Sequence, residues 1–435
     1  MERSITLFLQ NWTTDDNRKV ALLRGARQVG KTYTIRELGN KFQHFLEINF
    51  EENPTILSFF VESLDPQVIC ENLSAYYGTP IIPGKTLLFF DEIQSCLPAI
   101  QSLRFFHEKM PDLHVIAAGS LLEFALEELP TFGVGRIQSY FMYPMNFEEF
   151  LLANKEDGLL SLMKKASPTI LLASPIHEKL VFYLKRYLLI GGLPEVVKTF
   201  VSTRDLNKCQ ETLDTLLLGY YDDFAKYKSR VPAIRLRDIF LSIARQSGSK
   251  FKYSNAISNA NHSQIKEGLD LLCLAGIAYR IYHTSANGLP LGAEVNVKKF
   301  KVLLFDIGLQ QRMLGLNLGE LLVKNDFDSI NKGNLAELFV GLELYRKSVI
   351  KWAEVYYWHR ESKSSNAEID YIIQDGDKLL PIEVKAGTKG QMQSMHLFLK
   401  EKNCTRGLRM SLENFSSYPP IDVYPMYATG IADLS

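Results

Sequence analysis

The apolar run Val20-Ala21-Leu22-Leu23-Arg24 passes without interruption into Gly25-Ala26-Arg27-Gln28-Val29-Gly30-Lys31-Thr32. That octet fits G-x-x-x-x-G-K-[ST] at every fixed position. A helix-forming stretch, Tyr33 to Leu38, follows, and Gly39-Asn40 reads as its stop. A strand that turns through a glycine-rich loop into a helix admits few folds. The loop N–H groups and the positive helix end form an anion cradle, and the strand belongs in a parallel α/β sheet. Backbone from Gly25 to Tyr33 is therefore expected to wrap the phosphates of ATP. Lys31 is expected to reach the β- and γ-phosphates, and the Thr32 hydroxyl to ligate Mg²⁺.

A second stretch supplies the other half of such a site. Thr86-Leu87-Leu88-Phe89-Phe90-Asp91-Glu92 is a buried-strand pattern ending in two carboxylates, suited to a central strand covered on both faces. Asp91 is expected to hold Mg²⁺ through water, and Glu92 to polarise the attacking water. From Lys31 to Asp91 is 91 − 31 = 60 residues, room for a βαβ unit. The competing reading, a strand that merely ends in acids, has the order of the two motifs against it. His114 to Ser120 is a further short strand. Ser120 either touches the γ-phosphate or the water, or caps the strand end. Arg136 precedes a strand over Ile137 to Tyr143. It either reaches a neighbouring subunit's nucleotide or makes a structural salt bridge.

Leu23-Arg24-Gly25-Ala26-Arg27-Gln28-Val29-Gly30-Lys31-Thr32, Phe90-Asp91-Glu92-Ile93-Gln94, Ala118-Gly119-Ser120-Leu121, and Gly135-Arg136 leading to Tyr143-Pro144-Met145-Asn146-Phe147 together resemble prokaryotic AAA-type ATPases that carry a C-terminal DUF4143 region. The resemblance implies an AAA+ core, a sensor-1 role for Ser120 and an arginine-finger role for Arg136. Ala26 and Tyr33 stand where proline and a second threonine are frequent, and neither change removes a phosphate or metal contact.

Beyond residue 147 the sequence turns helical, with breaks expected at Ser167-Pro168 and Ser174-Pro175. This is the expected lid behind the nucleotide. Gly191-Gly192-Leu193-Pro194-Glu195 marks a sharp turn between helices and resembles a signature of the same family. Paired Gly and Pro set backbone angles, so the role is architectural. Residues 236–325 suggest a winged helix. Its second helix runs from His262 to Ala275, and a hairpin serves as wing from Ile277 and again from Asn296 to Asp306, where Asp306-Ile307-Gly308-Leu309 again resembles the DUF4143 pattern. Gln264, Lys266 and the wing lysines Lys298, Lys299 and Lys301 offer DNA contacts, whereas Glu267 and Asp270 oppose them. The alternative is a protein-contact module. The charge balance is uneven: residues 1–150 hold 12 basic and 19 acidic residues, and residues 151–330 hold 24 and 17. The basic middle suits an anionic partner or a solvated surface.

The last segment reads α-β-β-β. Gly333 to Leu344 is an amphipathic helix with Leu335, Leu338, Leu342 and Tyr345 on one stripe. Strands follow at Val355 to Trp358, Ala367 to Ile373 and Leu379 to Lys385, with a turn at Asp375-Gly376-Asp377. Alternation places Glu383 and Lys385 on one face, with Asp370 opposite them across the hairpin. Carboxylates grouped in this way hold Mg²⁺ or Mn²⁺, and a lysine beside them steadies developing charge. The order resembles the PD-(D/E)xK nuclease core. It implies Glu337, Asp370 and Glu383 as metal ligands and Lys385 as the catalytic lysine. The competing readings are a surface ion pair and a nuclease-like fold kept only for binding.

Five scattered cysteines without a CxxC pair exclude a disulfide framework and fit a reducing cytosol. The eight histidines show no HxxxH or HExxH spacing. No apolar run approaches the roughly 18 residues of a membrane span. The expectation is a cytoplasmic α/β protein with four parts: a P-loop AAA+ core over 1–150, a helical lid over 151–235, a winged-helix segment over 236–325 and a nuclease-like domain over 326–435. ATP and Mg²⁺ are its expected ligands, DNA is one candidate partner, and a partner protein or further copies of the chain are others.

Overall fold

The computed structural model describes every residue except 128–134, 228–230, 257–260, 319–331, 351–353, 362–366, 388–389 and 433–435. Two sheets organise it. The first has five strands: β1 (Val20–Arg24), β2 (His44–Asn49), β3 (Thr86–Asp91), β4 (His114–Ala118) and β5 (Ile137–Phe141). Every pairing in it is parallel and the order is β2-β3-β4-β1-β5. β3 and β4 are buried along their whole length. Alternate residues feed two cores: Leu87 and Phe89 on one face, Leu88 and Phe90 on the other. That is why these strands read as continuous apolar runs. β4 lies between β1 and β3, so the residues just past it fall between the glycine loop and the Asp91-Glu92 pair.

The helices Phe147–Ala153, Asp157–Lys165, Ser174–Ile190, Pro194–Thr203 and Leu206–Asp223 follow. The chain is non-helical between Lys165 and Ser174, the interval the two expected breaks bound, and Pro175 lies in the first turn of the helix that follows. The Gly191–Pro194 turn is fixed from a distance. The Gly192 N–H donates to Asp306 Oδ2 at 2.8 Å, and the other oxygen of Asp306 caps the helix Ile307–Met313 through the Leu309 N–H at 2.9 Å. Two signatures 114 residues apart therefore form one joint.

The helices Ala233–Gln246 and His262–Leu274 lead into β6 (Ala278–Thr284) and β7 (Val295–Leu304). This hairpin does not project as a free wing. β6 pairs in parallel with β8 (Val355–His359), and the hairpin becomes the edge of an eight-stranded sheet. The rest of that sheet is β9 (Glu368–Asp375), β10 (Lys378–Val384), β11 (Gly407–Ser411), β12 (Ser416–Tyr418) and β13 (Ile421–Pro425). Its order is β12-β13-β11-β10-β9-β8-β6-β7. An unpaired strand edge recruits a partner, and here β6 and β8 satisfy each other across the expected boundary near residue 325. Lys301, expected on a wing surface, is consequently buried at 1% exposure.

The helix Lys332–Arg346 is also more enclosed than a single apolar stripe implies, because it is buried throughout from Leu338 to Arg346. It is wedged among the other parts. Arg346 donates to the Tyr187 hydroxyl at 2.6 Å, to Phe305 O at 2.8 Å and to Met145 O at 3.2 Å. Glu343 accepts from the Phe147 N–H at 3.2 Å. A buried arginine and glutamate persist there because each is paired and hydrogen-bonded. No described helix is long and apolar enough to cross a membrane.

Candidate functional site

The glycine loop leaves β1 with Gly25 at φ 145°, passes Gln28 at φ 63° and enters its helix through Gly30 at φ 96°. A Cβ on Gly25 would stand 2.1 Å from Met142 O, so the position admits no side chain. Lys31 Nζ donates to Gly25 O and Ala26 O, each at 2.8 Å. Burial, only partly offset by Glu92 and Asp91, lowers its pKa to about 8. The Thr32 hydroxyl donates to Asp91 Oδ2 at 2.9 Å. Burial raises Asp91 to about 6. Two hard oxygens at this spacing suit Mg²⁺. Tyr33 is exposed at the start of the helix.

Glu92 holds a left-handed backbone, φ 48°, that few non-glycine residues adopt. Its Oε2 accepts from Gln94 Nε2 at 2.7 Å, from the Ser120 hydroxyl at 3.1 Å and from the Ser120 N–H at 3.2 Å. Burial pushes its pKa up, but the Gln94 hydrogen bond and the Lys31 charge outweigh it and hold it below the ordinary value. Ser120 thus does more than cap β4, since the strand order carries it to Glu92.

Arg27 extends the chain of contacts. Its Nε donates to the Ser120 hydroxyl at 3.0 Å, and its guanidinium pairs with Asp223 at the end of the helix Leu206–Asp223. The Tyr220 hydroxyl donates to Arg27 O at 2.9 Å. Gly276 lies so close to the loop that a Cβ there would meet Ala26 N at 3.3 Å. The glycine loop is therefore enclosed by the middle of the chain, a feature with no local sequence signal. Arg136 is half exposed and pairs with Glu108 on the helix Leu97–Lys109.

At the C-terminal cluster, Asp370 and Glu383 face the same side of the β9-β10 hairpin, whose register pairs Ile382 with Tyr371. Asp370 Oδ2 accepts from the Val384 N–H at 2.8 Å. Lys385 Nζ is 2.6 Å from Glu383 Oε1, and Glu383 Oε2 is buried without a partner. Burial raises the pKa of Glu383 and of Asp370, and raises Glu337 to about 7 with help from Asp370. The residues expected to gather do gather. Two others join them: Glu368 and, from β7, Lys301. The Lys301 ammonium is 3.0 Å from Glu368, 3.3 Å from Glu337 and 3.7 Å from Asp370.

A further donor set was not legible in the histidine spacing. His283 on β6, His359 on β8 and Glu361 bring ligand-type atoms within 4.8 Å of one another. Pairing of remote strands, not sequence spacing, creates it. Lys299 holds Glu361 at 2.7 Å.

Residues 17–151 match the family model of an AAA domain. Residues 181–320 and 332–425 match two domains of unknown function, DUF8612 and DUF4143 respectively. The Gly191–Glu195 and Asp306–Leu309 signatures lie within the DUF8612 match, upstream of DUF4143. An uncharacterized protein of Methanocaldococcus jannaschii is 26% identical over 370 residues, 83% of this chain and 74% of that protein. Another from Haemophilus influenzae is 24% identical, covering 84% of this chain and 82% of its own. A solved Walker-type ATPase of Pyrococcus abyssi is 14% identical, with a TM-score of 0.46, over 71% of this chain and 94% of its own. The chain carries an AAA-type P-loop core followed by a DUF4143 region.

Proposed function

We propose that the protein is a cytoplasmic, Mg²⁺-dependent ATPase whose nucleotide state is passed to the C-terminal module, which acts as a binding switch on a nuclease-like fold. The observation that carries the enzymatic part is the bonded set Thr32–Asp91 and Glu92–Ser120 beside the Lys31 loop. Lys31 binds the phosphates. Thr32 and Asp91 hold Mg²⁺, which neutralises phosphate charge when bound. Glu92, kept ionised by Gln94 and Lys31, accepts a proton from the attacking water, and Ser120 fixes its carboxylate. Arg136 exchanges Glu108 for the γ-phosphate of a neighbouring copy. The loop's contacts with Tyr220, Asp223 and Gly276 support transmission to the middle of the chain. Glu92→Gln tests the reading: phosphate release falls at least ~100-fold, as for loss of a general base, while ATP stays bound. Unchanged turnover rejects Glu92 as the base.

A second reading is cleavage of DNA by the C-terminal module, with Glu337, Asp370 and Glu383 as ligands for Mg²⁺ or Mn²⁺ and Lys385 as the catalytic lysine. The shared face of Asp370, Glu383 and Lys385 favours it. The Lys301 ammonium among the same carboxylates does not fit a divalent ion there. Plasmid incubated with Mn²⁺ decides: nicking lost in Asp370→Ala and Lys385→Ala supports cleavage, and nicking that survives both is contamination.

A further inference from the structure

Lys301 lies on β7, within the region that matches DUF8612, yet its ammonium is placed among carboxylates of the DUF4143 region. Glu337 comes from the helix Lys332–Arg346, and Glu368 and Asp370 from β9. All three approach one nitrogen within 3.7 Å. The lysine side chain is 2% exposed. The rings of Tyr357 and Tyr371 stand 5.3 and 5.8 Å from the ammonium and present faces that attract a cation. The Tyr371 hydroxyl donates to Glu337 O at 2.7 Å and holds the helix start against β9.

The charges nearly close. Four carboxylates, Glu337, Glu368, Asp370 and Glu383, face three ammonium groups. Lys301 serves three of them, Lys250 meets Glu368 at 2.8 Å, and Lys385 meets Glu383 at 2.6 Å. A divalent ion binds carboxylate oxygens at 2.0–2.6 Å, and its attraction depends on negative charge left uncompensated. Here three of the four negative charges are already compensated, and the point where Glu337 and Asp370 converge holds a covalently tethered cation.

We infer that Lys301 is the resident cation of this cluster, and that with β7 in place the site takes neither Mg²⁺ nor Mn²⁺. The lysine reaches its position because β6 and β8 share a sheet, so the hairpin that completes the sheet also fills the site. Lys301 thereby clasps the DUF8612 and DUF4143 regions together, and the clasp bears directly on whether the module can cleave. It rests on no part of the ATPase reading, and its test needs no nucleotide.

The test is Mn²⁺ binding to nucleotide-free, full-length protein, followed by electron paramagnetic resonance. Wild type and Lys301→Arg are expected to bind no Mn²⁺ at this cluster. Lys301→Met is expected to gain a site at least tenfold tighter than any the wild type has there, lost again when Asp370→Asn is added. Equal Mn²⁺ affinity in wild type and Lys301→Met, both dependent on Asp370, overturns the inference. Should Lys301→Met not fold, Fe²⁺–ascorbate cleavage of wild type replaces it. Backbone cuts near residues 337, 370 and 383 overturn the inference, and protection there supports it.

Discussion

Lys31 and Lys301 are both buried lysines near carboxylates, yet their surroundings drive them in opposite directions. Lys31 meets two backbone carbonyls at 2.8 Å, feels Asp91 and Glu92 only at longer range, and has its pKa lowered to about 8 because burial prevails. Lys301 meets three carboxylates within 3.7 Å, and their attraction overrides burial to raise its pKa. Carbonyl dipoles orient an ammonium group but do not neutralise it, whereas carboxylates do both. Lys31 is thus a cation short of negative charge, which a polyphosphate supplies. Lys301 is already supplied, and nothing is gained by bringing an ion to it. Residue types shared by two sites do not make them equivalent; the number of full charges within about 4 Å decides which one takes a ligand.

The largest effect that separates them is on folding. Lys301→Met removes the cation shared by three carboxylates and leaves them buried and under-compensated, and breaking a buried pair in this way costs about 3–5 kcal/mol. Lys31→Ala removes an under-compensated charge and is expected to change stability by less than about 1 kcal/mol, or to raise it. Urea unfolding of the two variants measures both. Equal losses would mean that Lys31 is as fully compensated as Lys301.

On ligand binding the order inverts. Lys31→Ala deletes a charge-assisted contact worth roughly 1.5–3 kcal/mol, so ATP·Mg²⁺ affinity is expected to fall about 10- to 150-fold, while Lys301→Arg leaves it unchanged. Calorimetric titration reads both. An ATP-binding defect in Lys301→Arg would show the two sites to be coupled rather than contrasted.

The glycine loop and the acid-tipped β3 were legible because each is one contiguous stretch whose chemistry lies in adjacent residues. Asp370, Glu383 and Lys385 were legible for a related reason: a two-residue turn between Asp375 and Lys378 fixes the register of their hairpin. Lys301 was misplaced on a wing because nothing local says that β6 pairs with β8 across more than 70 residues. The same pairing hid the His283–His359–Glu361 set. The enclosure of the helix Lys332–Arg346 was underestimated likewise, since the residues that cover its polar side, among them Met145, Tyr187 and Phe305, come from three distant segments.

A pH profile sharpens the contrast with a smaller signal. The folded pKa of Lys31, about 8, lies below the ordinary lysine value of 10.5, so above pH 8 phosphate binding must take up a proton. Affinity then falls, by up to about tenfold per pH unit. The pKa of Asp91 is raised from 3.8 to about 6, so below pH 6 the metal ligand is protonated and affinity falls again. ATP·Mg²⁺ affinity is therefore expected to peak between about pH 6 and 8. Lys301 itself has the opposite linkage: its folded pKa is raised, so its own contribution is complete below 10.5. The change expected of its cluster in that window comes from Glu337, raised to about 7, whose ionisation lowers stability as pH rises towards 7. A flat binding profile from pH 6 to 10 would remove the claim that Lys31 is short of negative charge.

The finest test concerns how the nucleotide site communicates. Arg27 touches Ser120 at 3.0 Å on one side and pairs with Asp223 on the other, while Ser120 holds Glu92 at 3.1 Å. If these four residues act as one chain, Asp223→Asn loosens Arg27 and lowers turnover a few-fold without changing ATP affinity. Ser120→Ala then hides most of that loss, because the link to Glu92 is already cut. Residues in one hydrogen-bond network couple by about 0.5–3 kcal/mol, so the double variant should depart from additivity by at least ~0.5 kcal/mol. Additive losses would mean that Asp223 only anchors the loop, and that the middle of the chain senses nucleotide through Tyr220 and Gly276 instead.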